Sequence, residues 1–395
     1  MTRYDVIVVG GGPAGLAFAR SLAGTGLKLA LVERQPRTVL AEPGCDGREI
    51  ALTHRSEASL KALGAWQAID PAETSPLREA RVLNAGSPFA LAFDTGGTGE
   101  DRLGQLVPNH LIRRALFAVT HAQPGVDLLA GTAVSSARAS REGAVAELAD
   151  GRRLEARLLV AADSRFSAVR EQLGIAAEVN RTGRAMMVCR VAHERDHEGI
   201  ATEWFDYGQT IAMLPLRGRM SSAVLTLDAA GIEALAALDA EALGAEITRR
   251  FQSRLGRMTV VPQPGMAGPG VYPLATTYAR HFAAERAALI GDAAVGMHPV
   301  TAHGFNLGLA GALRLGGLVA DAARHGRDIG SPWLLRRYEA AHRFASRPIY
   351  AGTNAIVGLY TAEHPAAKAA RHVALRAAQR LPRLRHGVSR MLMKP

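Results

Sequence analysis

Apolar residues along this chain fall into two patterns. Val6-Ile7-Val8-Val9 and residues 29–32 are unbroken apolar runs, as expected of strands covered on both faces, and the Ala/Leu-rich stretch 16–24 between them has helical spacing. Residues 4–33 therefore predict a β-α-β unit. A loop rich in Pro, Gly and charge follows at 35–48, then a helix at about 56–63; 96–99, with Asp94, Glu100 and Asp101 nearby, reads as an exposed turn. A helix is predicted at 109–121, then short strands at 126–129, 134–139, 144–148 and 154–161. From 185 to 227 the apolar period falls towards two, with breaks at Gly208 and Arg217-Gly218, which predicts an antiparallel sheet. Helical spacing returns at 232–255, and strands resume at about 271–279 and 287–290. The chain leaves its first domain, builds a separate sheet, and comes back.

The first apolar strand runs into Gly10-Gly11-Gly12-Pro13-Ala14-Gly15, in which Gly10, Gly12 and Gly15 fit G-x-G-x-x-G. The first glycine serves the tight turn, the second the close approach of backbone to a pyrophosphate, and the third the packing of helix on strand. The helix start at Pro13 and Ala14 then offers free N–H groups to phosphate. Glu33, at the end of the second strand and followed by Arg34, lies 23 residues after Gly10 and is placed to accept hydrogen bonds from a ribose. About 280 residues later come Ile290-Gly291-Asp292-Ala293-Ala294, His298-Pro299 and His303-Gly304-Phe305-Asn306. Gly291 allows close approach of a ligand, and Ala293-Ala294 is expected to open a helix whose N-terminus faces it. A chain with both segments is expected to hold one FAD from both ends.

Length and composition agree with a multidomain enzyme. The chain has 395 residues, 48% of them apolar, enough for a sizeable core. No run of about 18 uncharged apolar residues argues for a spanning helix, and no signal-peptide pattern opens the chain. Two cysteines, Cys45 and Cys189, imply no disulfide framework and suit a reducing cytosol. No Cys-x-x-Cys or His-rich cluster suggests a metal. The net charge of +11 has no nucleic-acid-binding motif beside it.

The glycine fingerprint, Ala162-Asp163-Ser164 with Ala168-Val169-Arg170, and Gly291-Asp292-Ala293-Ala294 together resemble the three signatures of single-component flavin aromatic hydroxylases of the p-hydroxybenzoate hydroxylase fold. The resemblance covers roughly residues 4–360. It implies an α/β protein with a discontinuous Rossmann-like FAD-binding domain (1–75, 100–182 and 270–330), an inserted antiparallel-sheet substrate domain (76–99 and 183–269) and a C-terminal helical region (331–395). Asp46-Gly47-Arg48-Glu49-Ile50-Ala51-Leu52, Val107-Pro108-Asn109, Tyr272-Pro273-Leu274 and the 295–309 segment are similar to the ubiquinone-biosynthesis hydroxylases of the UbiH, UbiF and UbiM type, most of all the UbiM branch. There are three departures. Ser164 stands where the family usually has Gly, His303 replaces a frequent Gln, and Leu225 sits where the ubiquinone branch often has Trp.

By that resemblance, Asp292 bonds the ribityl chain and Asp163 lies in a segment that meets the pyrophosphate and the reductant. Arg48 meets the flavin from one face, while Pro299 and the Gly304-Phe305-Asn306 backbone line its ring; Asn109 joins the cofactor-binding set. Pro299 and His303 are the expected catalytic residues, His303 because imidazole titrates near neutral pH and could assist phenol deprotonation. The implied reaction is hydroxylation of a polyprenylated phenol or quinol by O₂ through a flavin C4a-hydroperoxide, with NAD(P)H or another donor used transiently. A soluble catabolic aromatic hydroxylase, a reductase of the geranylgeranyl type, a halogenase and a flavin-holding subunit of a biosynthetic complex are the alternatives. A halogenase would normally show a Trp-x-Trp-x-Ile stretch, whereas Trp66, Trp204 and Trp333 are isolated.

Eight cationic residues, Lys368, Arg371, Arg376, Arg380, Arg383, Arg385, Arg390 and Lys394, follow the last acid, Glu363, and alternate with apolar residues. Such a segment, divided by Pro382, suits an anionic membrane surface. A cytoplasmic protein, peripheral on the inner membrane, is the expectation.

Overall fold

The computed structural model describes residues 2–85, 90–96, 99–206 and 208–361. A six-stranded sheet forms its base, in the spatial order Ala283–Ala284, Ala287–Leu289, Leu158–Ala161, Val6–Val9, Leu29–Glu33, Val126–Ala130. All neighbours pair in parallel except the first two. Every residue of Val6–Val9 and Leu158–Ala161 is buried, which accounts for their uninterrupted apolar sequence. The chain runs outward from Val6–Val9 through Leu29–Glu33 to Val126–Ala130, then returns to the opposite side of Val6–Val9. The crevice at the carboxyl ends of Val6–Val9 and Leu158–Ala161 is thus a topological switch point, where ligands bind in open α/β sheets. The helix Pro13–Ser21 packs there on the long helix Gly304–Arg324, so closely that a Cβ on Gly316 would lie 1.9 Å from Ser21 Oγ.

Residues 154–161, read above as one strand, are two. Arg153–Ala156 belongs to a four-stranded sheet with Thr2–Arg3, Ala144–Leu148 and Val134–Ala139, whereas Leu158–Ala161 joins the parallel sheet. The N–H groups of both Arg157 and Leu158 donate to Asp5 O, at 3.1 Å each, and the chain changes sheets at that shared acceptor. The helical stretch 232–255 is likewise two helices, Ala229–Ala236 and Ala240–Arg250, because the Asp239 side chain accepts from Ala242 N and starts a new helix. The helix expected at about 56–63 begins earlier, at His54, where Thr53 caps it by accepting from Ser56 N. The helix 109–121 has the expected bounds.

A nine-stranded sheet stands over the switch point. Its main path runs Val295–Gly296, Gly270–Ala279, Ala177–His193, Met220–Asp228, Gln209–Pro215, Ile200–Asp206, Glu79–Asn84, Ala90–Phe93, and Met258–Val261 also pairs with Ala177–His193. The hairpins at Gly208 and Arg217-Gly218 are present. The strand Ala177–His193 crosses the boundary drawn at 182/183, and Gly270–Ala279, assigned by sequence to the other domain, hydrogen-bonds along it.

Ala185, Met187, Cys189 and Val191 of Ala177–His193 and Ala223 and Leu225 of Met220–Asp228, together with Trp204, Ile211 and Met213, pack under the two short helices in a second core. Trp204 is fully buried and donates from Nε1 to Ala85 O at 3.1 Å. Leu225 belongs to this helix side, so the departure noted at that position does not line the opposite face. That opposite face looks towards the parallel-sheet half. From it Arg190 donates to Glu49 at 2.7 Å, and Tyr272 OH donates to Asp46 O at 2.6 Å.

Candidate active site

Three glycines at the end of Val6–Val9 have different reasons to be glycine. Gly10 has φ +110°, and a Cβ there would meet Ala162 O at 2.4 Å. A Cβ on Gly15 would lie 2.0 Å from Gly10 O. At Gly12 a Cβ would touch nothing within 4 Å, so the space before the helix is open. The helix then starts at Pro13 with no side-chain cap, leaving its first N–H groups for an anion. Glu33 braces the turn. Its carboxylate accepts from Gly11 N at 2.6 Å and from Gln35 N at 2.9 Å, while Arg34 is exposed.

The two remote acids come to the same crevice. Gly291 has φ +58°, and a Cβ on it would meet Ala14 Cβ at 2.8 Å, so the late motif sits directly on the first helix. Asp292 accepts from Arg165 Nη2 at 3.0 Å and remains 40% exposed. Asp163 Oδ1 is buried with no hydrogen-bond partner among the described residues, an arrangement that a ligand donor would satisfy. Arg170, 2% exposed, fastens the two segments together by donating to Arg165 O at 3.1 Å and Ala293 O at 3.2 Å. Ser164, the departure from the family's glycine, is exposed and its Oγ accepts from Phe166 N.

The expected helix at Ala293-Ala294 is not there. Gly291–Ala293 is a single 3-10 turn, Val295–Gly296 pairs with Tyr278 and Thr277, and the helix begins only at Gly304. The edge pairing takes the backbone that a helix would need. The loop expected to line the flavin ring contains the turn Pro299–Thr301, with Pro299 exposed and Ala302 at φ +53°. Thr301 Oγ1 shares a hydrogen bond of 3.0 Å with Thr353 on the helix Pro332–Thr361. Gly304 offers open space like Gly12, Phe305 is half-buried, and no side-chain cap covers the start of the helix. The Asn306 side chain is fully used within the fold: it accepts from Thr53 N and donates to Ala51 O and Ala302 O. His303 is only 3% exposed, behind this loop.

Asp46 organises the other wall. It accepts from Arg48 Nη2 and Asn109 Nδ2, both at 2.7 Å, and Arg48 lies over the Tyr272 ring at 5.2 Å. Burial alone would raise the Asp46 pKa, but the charge and hydrogen bonds of Arg48 and the Asn109 amide hold it below the usual carboxylate range. Glu49, almost fully buried, is pushed up by burial despite its pairing with Arg190. Burial also lowers His298 from its ordinary 6.5 to about 4, with Arg184 and Arg165 adding repulsion.

Gly10, Ala14, Gly15, Asp163, Gly291 and Asp292 thus meet at one crevice, Arg165 and Arg170 tie its segments together, and Asp46, Arg48, Asn109 and Tyr272 form a second cluster, with His298 in the loop before Pro299. Asp46, Arg170, Tyr272 and His298 stood in the quoted motifs without a role, and Arg165 carried no signal beyond its place beside Asp163. A match to the FAD binding domain model over residues 3–350 decides the family. This chain belongs to it. The ubiquinone hydroxylase UbiM of Neisseria meningitidis is 44% identical, with 98% of this chain and 84% of the relative aligned. The ubiquinone hydroxylase UbiL of Rhodospirillum rubrum is 34% identical over 99% and 91% of the two chains. The p-nitrophenol 4-monooxygenase PnpA of Pseudomonas putida DLL-E4 shares the fold, with TM-score 0.77, 17% identity and 98% and 97% of the chains covered. These matches bear out the family resemblance read from the motifs, and with it FAD as the cofactor.

Two measurements test the site. Gly12→Ala should fold normally and bind FAD more weakly, whereas Gly15→Ala, facing a carbonyl, should lose about 1–3 kcal/mol of stability or fail to fold; equal melting temperatures for the two variants would contradict the geometry. His298 binds its proton more tightly in the unfolded chain, so its contribution to stability is present above about pH 6.5 and is lost as pH falls towards 4. His298→Asn should flatten that part of the melting-temperature profile.

Proposed function

We infer that this chain is an FAD-dependent monooxygenase that hydroxylates the aromatic ring of a polyprenylated phenol or quinol in ubiquinone biosynthesis, with O₂ as co-substrate and NAD(P)H or another donor supplying electrons transiently. The observation that carries this reading is the convergence of the open Gly12 cradle, Asp163 and Asp292 on one crevice beneath the inner face of the nine-stranded sheet. The names of the two ubiquinone hydroxylase relatives supply the substrate class.

Bound FAD supplies the redox chemistry and the activation of oxygen. The protein's part is to hold and orient. Gly10, Gly12, Pro13, Ala14 and Gly15 receive the pyrophosphate together with the segment of Asp163, Glu33 and Arg34 the adenosine end, and Gly291 and Asp292 the ribityl portion. Arg48 and Asn109, fixed by Asp46, border the flavin on one side. Pro299, Gly304, Phe305 and Asn306 form the ring side, with backbone N–H groups at the helix start favouring negative charge there. His303, being buried behind that loop, acts by positioning it. Val82, Leu91, Phe93 and Phe205 form an apolar cluster with Val300 and Leu359 next to the Pro299 turn, and such an apolar boundary would limit water near the reacting ring.

Among the described residues no helix is long and apolar enough to cross a membrane. The basic segment at 368–395 lies outside the described residues. We assign it to contact with an anionic membrane surface, which would bring the enzyme to a substrate whose polyprenyl tail partitions into lipid.

Oxygen consumption by the holoenzyme should depend on a phenol carrying a polyprenyl tail. Asp292→Ala should weaken FAD retention about 10- to 100-fold, and Pro299→Ala should raise hydrogen peroxide release more than it weakens FAD binding. Alkene reduction without oxygen uptake would place the protein among the reductases instead. Removing residues 368–395 should lower salt-sensitive binding to phosphatidylglycerol vesicles and leave FAD content unchanged; equal vesicle binding by both proteins would end the membrane assignment.

A further inference from the structure

The inner face of the nine-stranded sheet is fixed by register. Glu203 pairs with Ala212 on one side and Val82 on the other, so these three point the same way, opposite to Trp204. Phe205, two residues on, packs with Leu91 and Val82 against Val300 of the Pro299–Thr301 turn. Glu203 therefore projects from the same face as Phe205, on the side of the sheet that meets the Pro299–Thr301 turn. Its nearest strand neighbours on that face, Ala80, Val82, Ala201 and Ala212, carry no charge.

No hydrogen bond or ion pair engages Glu203 among the described residues, and burial without a compensating charge pushes its carboxyl up to about 8. It is not alone. Asn84, opposite Phe205 and diagonal to Glu203 on the same face, is 2% exposed, and its Oδ1 is buried without a partner; Ser222 Oγ, further along the face, is in the same condition. Buried polar groups are normally paired. Two on one face, beside the half-buried Glu203 carboxyl and among the apolar side chains of Val82, Leu91, Phe93 and Phe205, suit a ligand that is mostly apolar and carries oxygen atoms.

We propose that Glu203 is a catalytic residue that binds the ring hydroxyl of the substrate and accepts its proton, with Asn84 beside it contacting a ring oxygen. This rests on the hydroxylase reading above. The phenolic O–H bond breaks with its electron pair left on the ring oxygen, the proton passes to a carboxylate oxygen, and the electron-rich phenolate is the form that accepts oxygen most readily. The proton returns to the aromatic product before release. The other charged or titratable groups on or at this face are Arg184, Arg190 with its partner Glu49, Arg48 with Asp46, Tyr272, and His298 in the loop below. None of them shifts Glu203.

The test uses FAD-loaded protein, with 4-nitrophenol as a probe because its ionised form is visible by difference absorbance. In the wild type the bound pair shares one proton, so affinity should fall about tenfold per pH unit above about pH 8. In Glu203→Gln affinity should be flat there. A second readout is free of ligand: a carboxyl raised in the folded state costs stability as pH rises from its ordinary 4.5 to about 8, so the wild-type melting temperature should decline over that window relative to the glutamine variant. Coincident binding profiles with oxygen uptake intact overturn the role of Glu203 and leave the hydroxylase reading standing. Divergent profiles with no oxygen uptake on any polyprenylated phenol support the Glu203 site and overturn the hydroxylase reading.

Discussion

Backbone meets backbone at the carboxyl end of Val6–Val9, and the rest of the site depends on that contact. Gly10 lies against Ala162 and Asp163, Gly15 lies against Gly10 O, and Gly291 lies against Ala14. Each approach is shorter than a side chain would permit, so segments separated by about 150 and 280 residues can bring an acid to one crevice only because glycine removes the intervening atom. Close packing of this kind tolerates no slack. It also explains why Arg170 is buried: one guanidinium donating to Arg165 O and Ala293 O holds the second and third segments in register.

Polar ties that attach the nine-stranded sheet to this base include Arg190 to Glu49 and Tyr272 to Asp46. The Asp46 backbone receives Tyr272, while its side chain binds Arg48 and Asn109. A single residue thus couples the Arg48 and Asn109 side chains to the nine-stranded sheet. The sheet divides its residues by parity. One face is a closed hydrophobic core around Trp204, and the other is an apolar surface that packs on Val300 and carries a few polar groups without partners among the described residues. Such a division matches an enzyme whose substrate is a ring with oxygen substituents and a long apolar tail, and whose chemistry requires that water be kept away from that ring.

Much of this was legible in the chain. Continuous apolar runs marked strands buried on both faces, alternation marked the antiparallel sheet, and the glycine spacing marked the phosphate turn, because each signal is local and has one dominant physical cause. Boundaries failed where a distant acceptor intervened. Asp5 O splits 154–161 into two strands, and the pairing of Val295–Gly296 with the sheet replaces a helix after Asp292. Asn306 was legible as a member of the ring loop, but not that its amide would be consumed by Ala51, Thr53 and Ala302.

The sequence by itself determined which chemistry is available: a nucleotide-binding turn, two acids far apart, a loop with Pro299 and Gly304, and the family to which these belong. Tertiary structure alone decided what each side chain faces. Glu203 has no motif around it, and its neighbours in sequence, Thr202 and Trp204, point the other way. Only the pairing with Ala212 and Val82 places it on the inner face, away from any countercharge among the described residues. Spacing along a strand fixes alternation, but which of the two faces receives the ligand is set by long-range register, and no local pattern carries that information.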